Sequence, residues 1–315
     1  MKSSSDEKNK FYIEEIGRLK KEKNALIMAH YYQREEIQEI ADFIGDSLAL
    51  ARQAARTDAD VIVMCGVHFM GETAKILCPD KIVLVPDLEA GCSLADSCPP
   101  DEFKKFVEEH PDHTVVSYVN TSAAVKALTD IVVTSGNARQ IIEMLPEDEK
   151  IIFGPDKNLG EYINSVVGRN MLLWKGACHV HDRFSIQKIL DMKKEHPEAK
   201  ILVHPECRRP LQLIADKVGS TAALLEFVKN DEAKEFIVVT ESGILFEMRR
   251  NCPDKILYAA PAEDAECQCN ECDFMKLNTL EKVYKALRDG KPEIIVEPEI
   301  AEKAVKPIKR MLEMS

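Results

Sequence analysis

One strand-and-helix grammar recurs three times along this chain of 315 residues. A repeat of that size constrains the fold more tightly than composition does. The first block opens at His30-Tyr31-Tyr32, directly after the apolar run Asn24 to Ala29. The second opens at Tyr118-Val119-Asn120 after Thr114 to Ser117, and the third at His204-Pro205-Glu206 after Ile201 to Val203. Seventeen residues past His30, Tyr118 and His204 stand the hydroxyl residues Ser47, Ser135 and Thr221. Nineteen further on come Gly66, Gly154 and Thr240, each just beyond another apolar run. Blocks one and three also share Cys-Pro-Asp-Lys, at Cys78 to Lys81 and Cys252 to Lys255. Three concordant spacings are hard to obtain from three unrelated segments whose loops merely look alike.

The runs Asn24 to Ala29, Asp60 to Met64 and Lys81 to Val85 are short, apolar and rich in β-branched residues, as buried strands are. Arg34 to Phe43 and Ser47 to Thr57 carry helical patterns. Continuous apolar strands alternating with helices predict parallel sheets covered on both faces. The expected fold is α/β: three homologous three-layer αβα domains over residues 11–100, 101–190 and 191–277. The segment 278–315 reads as helices and is expected to pack back on the first domain. Each block places polar residues at a strand's carboxyl end, where α/β folds bind ligands. If the three domains meet about a common axis, those ends converge.

Apolar residues make up 45% of the chain, enough for large cores. A net charge of −12 argues against a nucleic-acid footprint, which needs a basic face. No apolar run approaches the roughly 18 residues of a membrane span. The first ten residues are polar and charged, without the apolar stretch of a signal peptide. A cytoplasmic protein, with no nucleic-acid or membrane partner, is the expectation. In a reducing compartment ten cysteines read as ligands, reactive thiols or small buried residues before disulfides.

Three of those cysteines close the three blocks: Cys92, Cys178 and one of Cys267, Cys269 or Cys272. One thiol per domain suggests three ligands delivered to one centre, although a lone cysteine is more often core filler. Repeat spacing favours Cys267 as the third member. The pair Cys269-x-x-Cys272 would also suit zinc, but a zinc module needs four ligands and no second such pair exists. The hydroxyls at Ser47, Ser135 and Thr221 precede helical patterns. As caps they would merely satisfy the helix; as part of a shared cavity they would present helix N-termini to anions. His204 and Glu206 flank a proline in an extended turn, so both can face one cavity. Together they offer acid–base capacity. His30, Tyr32, Tyr118 and Asn120 hold the corresponding strand-end positions of the other blocks.

The residues that mark the repeat resemble those of the quinolinate synthase family, iron–sulfur enzymes of de novo NAD biosynthesis. The matching motifs are Met28-Ala-His30-Tyr31-Tyr32-Gln33, Gly45-Asp-Ser47, Gly66-Val-His-Phe-Met70-Gly-Glu72-Thr-Ala-Lys75, Ser117-Tyr118-Val-Asn120 and Thr134-Ser135-Gly-Asn137. Further along they are Gly154-Pro-Asp-Lys157-Asn158-Leu-Gly160, Gly176-Ala-Cys178-His-Val-His181, His204-Pro-Glu206-Cys207 and Cys272-Asp-Phe-Met275. The resemblance runs from about residue 20 to 290. It implies pseudo-threefold domains around one [4Fe-4S] cluster per chain, with three cysteine ligands and one open iron acting as a Lewis acid. By that pattern the ligands are Cys92, Cys178 and Cys272, the last because it precedes an aromatic-Met pair; spacing and family therefore differ over Cys267. The implied reaction condenses iminoaspartate with dihydroxyacetone phosphate to quinolinate, releasing phosphate and two waters. Glu206 is then the implied base, Tyr32 an acid–base partner, and His204 a group that orients or donates to a carboxylate. His30, Ser47, Ser135 and Thr221 would bind phosphate and carboxylates, Tyr118 and Asn120 would line the cavity, and His181 would lie near the cluster. Functional coupling to an L-aspartate oxidase or dehydrogenase, the source of the imine, is a further implication. The competing class is an iron–sulfur electron carrier or sensor, whose cluster substrate and quinolinate would leave unchanged.

Overall fold

Apolar β-branched runs form three parallel four-stranded sheets in the computed structural model of the chain, which describes residues 2–263 and 270–315. The first sheet holds β1 (Ala25–His30), β2 (Phe43–Gly45), β3 (Val61–Cys65) and β4 (Ile82–Leu84). The second holds β5 (Thr114–Tyr118), β6 (Ile131–Val133), β7 (Ile151–Gly154) and β8 (Leu172–Leu173). The third holds β9 (Lys200–Val203), β10 (Lys217–Val218), β11 (Glu235–Val239) and β12 (Ile256–Ala259). Strand order is identical in each: β2-β1-β3-β4, β6-β5-β7-β8 and β10-β9-β11-β12. The chain reverses direction between the two inner strands, and that reversal opens a crevice at their carboxyl ends. His30, Tyr118 and Val203 end the first inner strand of each sheet, so the block-opening residues sit at the three crevices.

The strands are buried on both faces, as parallel sheets require. Every residue of β3, β6 and β7 is buried. One apolar cluster runs through all three sheets, from Met28 and Met64 through Val116 and Phe153 to Leu202 and Val238.

The helix expected from Arg34 to Phe43 is shorter, Glu35–Ile40, because Phe43 begins the edge strand β2 and pairs with Met28. Asp42 makes the turn. Its carboxylate accepts the Ile27 N–H at 2.9 Å, and its own N–H donates to the Ile27 carbonyl at 2.8 Å. The same clasp recurs with Asp130 on Val115 and Asp216 on Ile201, carboxylate distances 2.8 and 2.7 Å. In each case the aspartate lies fifteen residues after its partner, one more register of the repeat. The shared Cys-Pro-Asp-Lys also folds alike. Cys78 and Cys252 end helices, and the N–H of Lys81 and of Lys255 donates back to their carbonyls at 3.1 and 3.2 Å.

The C-terminal segment divides. Helix Leu280–Asp289 packs on helix Lys2–Glu22 and on β3, with Tyr284 against the rings of Phe11 and Tyr12. Helix Pro298–Glu313 instead lies along β6 and helix Ala123–Lys126 of the second sheet, and touches helix His68–Leu77 of the first. The expectation that all of 278–315 covers the first domain is corrected on this point. The cause is the apolar stripe Ala304, Ile308 and Met311, which is buried in the cluster containing Ile131 to Val133. Among the described residues no helix is long and apolar enough to cross a membrane.

Candidate active site

The carboxyl ends of the three sheets converge on one cavity with an empty volume of about 700 Å³. The first sheet contributes His30, Tyr32 and Ser47, the second Tyr118, Asn120 and Ser135, the third His204, Glu206 and Thr221. Cys92, Cys178 and Cys272 complete the wall. All twelve residues singled out from the sequence thus face one space. Cys267 and Cys269 lie outside the described residues.

The hydroxyls are not the helix caps that their positions suggest. Asp46 caps helix Ser47–Arg56, accepting the Ala49 N–H at 3.0 Å, and Ser220 caps helix Thr221–Asn230 through the Ala223 N–H. Before helix Ala138–Met144 it is Asn137 that closes the turn, through the Thr134 N–H. Each neighbour takes the structural task and leaves all three hydroxyls on the cavity wall, with Ser47 and Thr221 at helix starts, where backbone N–H groups favour anions, and Ser135 in the turn before helix Ala138–Met144.

Glu206 is the hub. Its Oε2 lies 2.9 Å from His181 Nδ1, its Oε1 accepts the Tyr118 hydroxyl and stands 3.9 Å from His204 Nδ1. Burial alone would raise this carboxyl, but the neighbouring His181 imidazole and the Tyr118 hydroxyl outweigh burial and hold it below the ordinary carboxylate value. Asp156, buried nearby, is driven upward by burial and by Glu206. Burial lowers His30 to about 3, and burial with the neighbouring His181 lowers His204 to about 3, so both are neutral donors or acceptors. His204 stacks on His181, ring centroids 4.6 Å apart, and its Nε2 reaches Ser135 Oγ at 3.3 Å. Tyr32 Oη lies 2.8 Å from Thr221 Oγ1 and 2.7 Å from Thr240 Oγ1, which in turn meets His181 Nε2 at 2.9 Å. Burial and the Glu206 charge push the hydroxyls of Tyr32 and Tyr118 well above the usual phenol value, so both keep their protons. Asn120 Oδ1 is buried with no hydrogen-bond partner, although its residue lines the cavity. Such an atom is costly unless something enters to meet it.

Two buried carboxylates that the motif reading did not single out fix two of the cysteines. Asp156 Oδ2 accepts the Cys178 N–H at 3.2 Å. Glu241 Oε1 accepts the Cys272 N–H at 3.1 Å, and its Oε2 the Gly243 N–H at 2.7 Å. Lys276 Nζ pairs with Glu241 at 2.9 Å and donates to the Tyr32 carbonyl at 2.7 Å, tying the Cys272 turn to the first sheet. Their signal was positional. Asp156 and Glu241 follow Gly154 and Thr240, the third repeat mark, within two residues.

Three thiols are a soft donor set, suited to iron–sulfur clusters or zinc. Burial raises Cys92 to about 12, Cys272 to about 11 and Cys178 well above the usual thiol value, and the Cys92 and Cys178 thiols also feel neighbouring cysteines of the three. A group that binds here must displace those protons. Cys178, His181 and Glu206 also place their ligand atoms within 4.8 Å of one another.

A family model described as Quinolinate synthetase A protein matches residues 14–313. The quinolinate synthase of Nostoc punctiforme is 56% identical over 300 residues, covering 95% of this chain and 92% of that protein. That of Chloroherpeton thalassium is 54% identical over 303 residues, covering 96% and 94%. That of Synechocystis sp. is 55% identical over 300 residues, covering 95% and 94%.

Proposed function

Because the chain belongs to the Quinolinate synthetase A protein family, we propose that it condenses iminoaspartate with dihydroxyacetone phosphate to quinolinate, releasing phosphate and two waters. The observation that carries this reading is the cavity itself: three cysteines and one polar strand end from each sheet face the same space. The atoms of the two substrates balance those of quinolinate, phosphate and two waters without net oxidation. Cys92, Cys178 and Cys272 would hold a [4Fe-4S] cluster as three thiolates. Bound there, it would supply a Lewis-acidic iron without a cysteine ligand, able to polarise a substrate oxygen or nitrogen.

The protein's own residues supply binding and proton traffic. Among the described residues that line the cavity none is lysine or arginine. Phosphate and carboxylates are therefore held by the hydroxyls of Ser47, Ser135 and Thr221, by backbone N–H groups at the helix starts of Ser47 and Thr221, and by the neutral imidazoles of His30 and His204. Glu206 stays ionised although buried, so it is ready to accept a proton from a substrate carbon. Tyr118 and His181 orient its two oxygens. Tyr32, kept protonated and set between Thr221 and Thr240, is placed to give a proton to a departing hydroxyl. The Asn120 amide oxygen meets a substrate donor. The enclosing walls limit water, which would hydrolyse an imine.

A second reading has its own observation: Cys178, His181 and Glu206 are close enough to hold one ion. The two readings separate on metal content. Anaerobically assembled protein is expected to hold about four irons per chain, with a visible spectrum that changes when quinolinate is added. Protein carrying a single ion would favour the second reading, and a four-iron spectrum indifferent to quinolinate would favour an electron carrier. Location in the cytoplasm and coupling to an enzyme that oxidises L-aspartate belong to this same proposal.

A further inference from the structure

Lys126 ends the short helix Ala123–Lys126 and is fully buried. An ammonium without water normally needs a carboxylate beside it. Among the described residues no carboxylate lies within ion-pairing distance of its nitrogen. What Nζ does meet is neutral: the Thr121 carbonyl, to which it donates, and the face of Phe69, whose centroid is 5.3 Å away. Glu72 is the nearest acidic influence, but its carboxylate already accepts the Ala123 N–H at 2.9 Å and stands 3.8 Å from His68. Burial lowers Lys126 to about 8, and the start of its helix, Ser122 and Ala123, lines one hollow together with Phe69 and Cys92. Phe69 separates the ammonium from the cavity and is itself part of the wall, together with Cys92.

Among the described residues, a cation this deep, with a ring and a carbonyl for company, has no carboxylate paired with it. Three thiolates around an oxidised cubane core leave a net negative charge, which grows on reduction. We propose that Lys126 is the buried counter-ion of the iron–sulfur cluster, set behind Phe69 to balance the charge of the Cys92 side. This rests on the cluster reading given above and assigns no substrate contact to Lys126. It is a positioning residue, acting through the cluster's charge. The acidic character of the chain makes such a cation useful, since Glu206 lines the same cavity and would otherwise oppose an anionic cluster.

The test uses the full chain, loaded with iron anaerobically, as wild type, K126M and K126Q. The deciding quantity is the midpoint potential of the cluster, followed by electron paramagnetic resonance during a redox titration. Loss of a neighbouring positive charge makes reduction harder, so the midpoint of both variants is expected to move to more negative potential. Iron should also leave to a chelator at least about tenfold faster, and the gain in Tm on loading should shrink. Without iron, K126M should melt at or above the wild-type temperature, because an unpaired charge has been replaced by an apolar chain of similar length. A midpoint in the neutral variants equal to or above that of the wild type overturns the proposal. So does failure of both variants to fold without iron, which would make the ammonium a requirement of the apo fold. Wild-type protein that binds no cluster would instead bring down the cluster reading itself.

Discussion

At Cys272 the backbone is held by a buried carboxylate and the thiol faces the shared cavity. Glu241 and Lys276 fix that turn against Tyr32, so Cys272 and Tyr32, the proposed ligand and proposed proton donor, are set by one ion pair. C272A is accordingly expected to lose most of its iron after anaerobic assembly, by direct iron determination. C267A and C269A should retain most of it; iron retention in C272A alone would reassign the third ligand. Glu206 is bound on both oxygens yet contributes no thiolate. E206Q should keep its cluster and lose kcat by about 10² to 10⁴. Steady-state rates equal to wild type would place the base elsewhere.

Individual elements explain why some of this was legible from residues and some not. Long inner strands such as β3 and β7 announce themselves by β-branched, wholly apolar runs. Edge strands of two or three residues, such as β2, carry too little pattern and merge with a neighbouring helix. The helix starts were located, but the caps fall on Asp46, Asn137 and Ser220, beside the hydroxyls that spacing selected. Spacing alone cannot say which of two adjacent polar residues turns inward. Asp42, Asp130 and Asp216 went unread because a clasp on a strand N–H has no hydrophobic signature. D130A removes the acceptor of Val115 N–H and should cost about 1–3 kcal/mol in denaturant unfolding. A value near zero would mean that water replaces the carboxylate. Helix His68–Leu77 crosses its sheet at Gly71, where an added Cβ would lie 2.5 Å from Val85 Cγ2 and 2.9 Å from Ile294 Cγ1. G71A should destabilise by about 1–3 kcal/mol in the same experiment, since both neighbours are packed core side chains. An unchanged midpoint there would contradict the close approach.

Across the whole molecule, three copies of one topology bring their binding ends together. No single sheet supplies the three cysteines, the three hydroxyls and the Glu206 network that the proposed function needs. The cavity exists only where the three meet. That arrangement reconciles a net charge of −12 with anionic substrates, because anions are met by dipoles and neutral donors inside a largely acidic body. The central claim is that this cavity, loaded with its cluster, makes quinolinate. The most direct measurement is an anaerobic assay of loaded protein with iminoaspartate and dihydroxyacetone phosphate, following quinolinate and phosphate together. Both are expected in equal amounts, and only from protein that carries the cluster. Protein carrying the full complement of iron that forms neither product would contradict it.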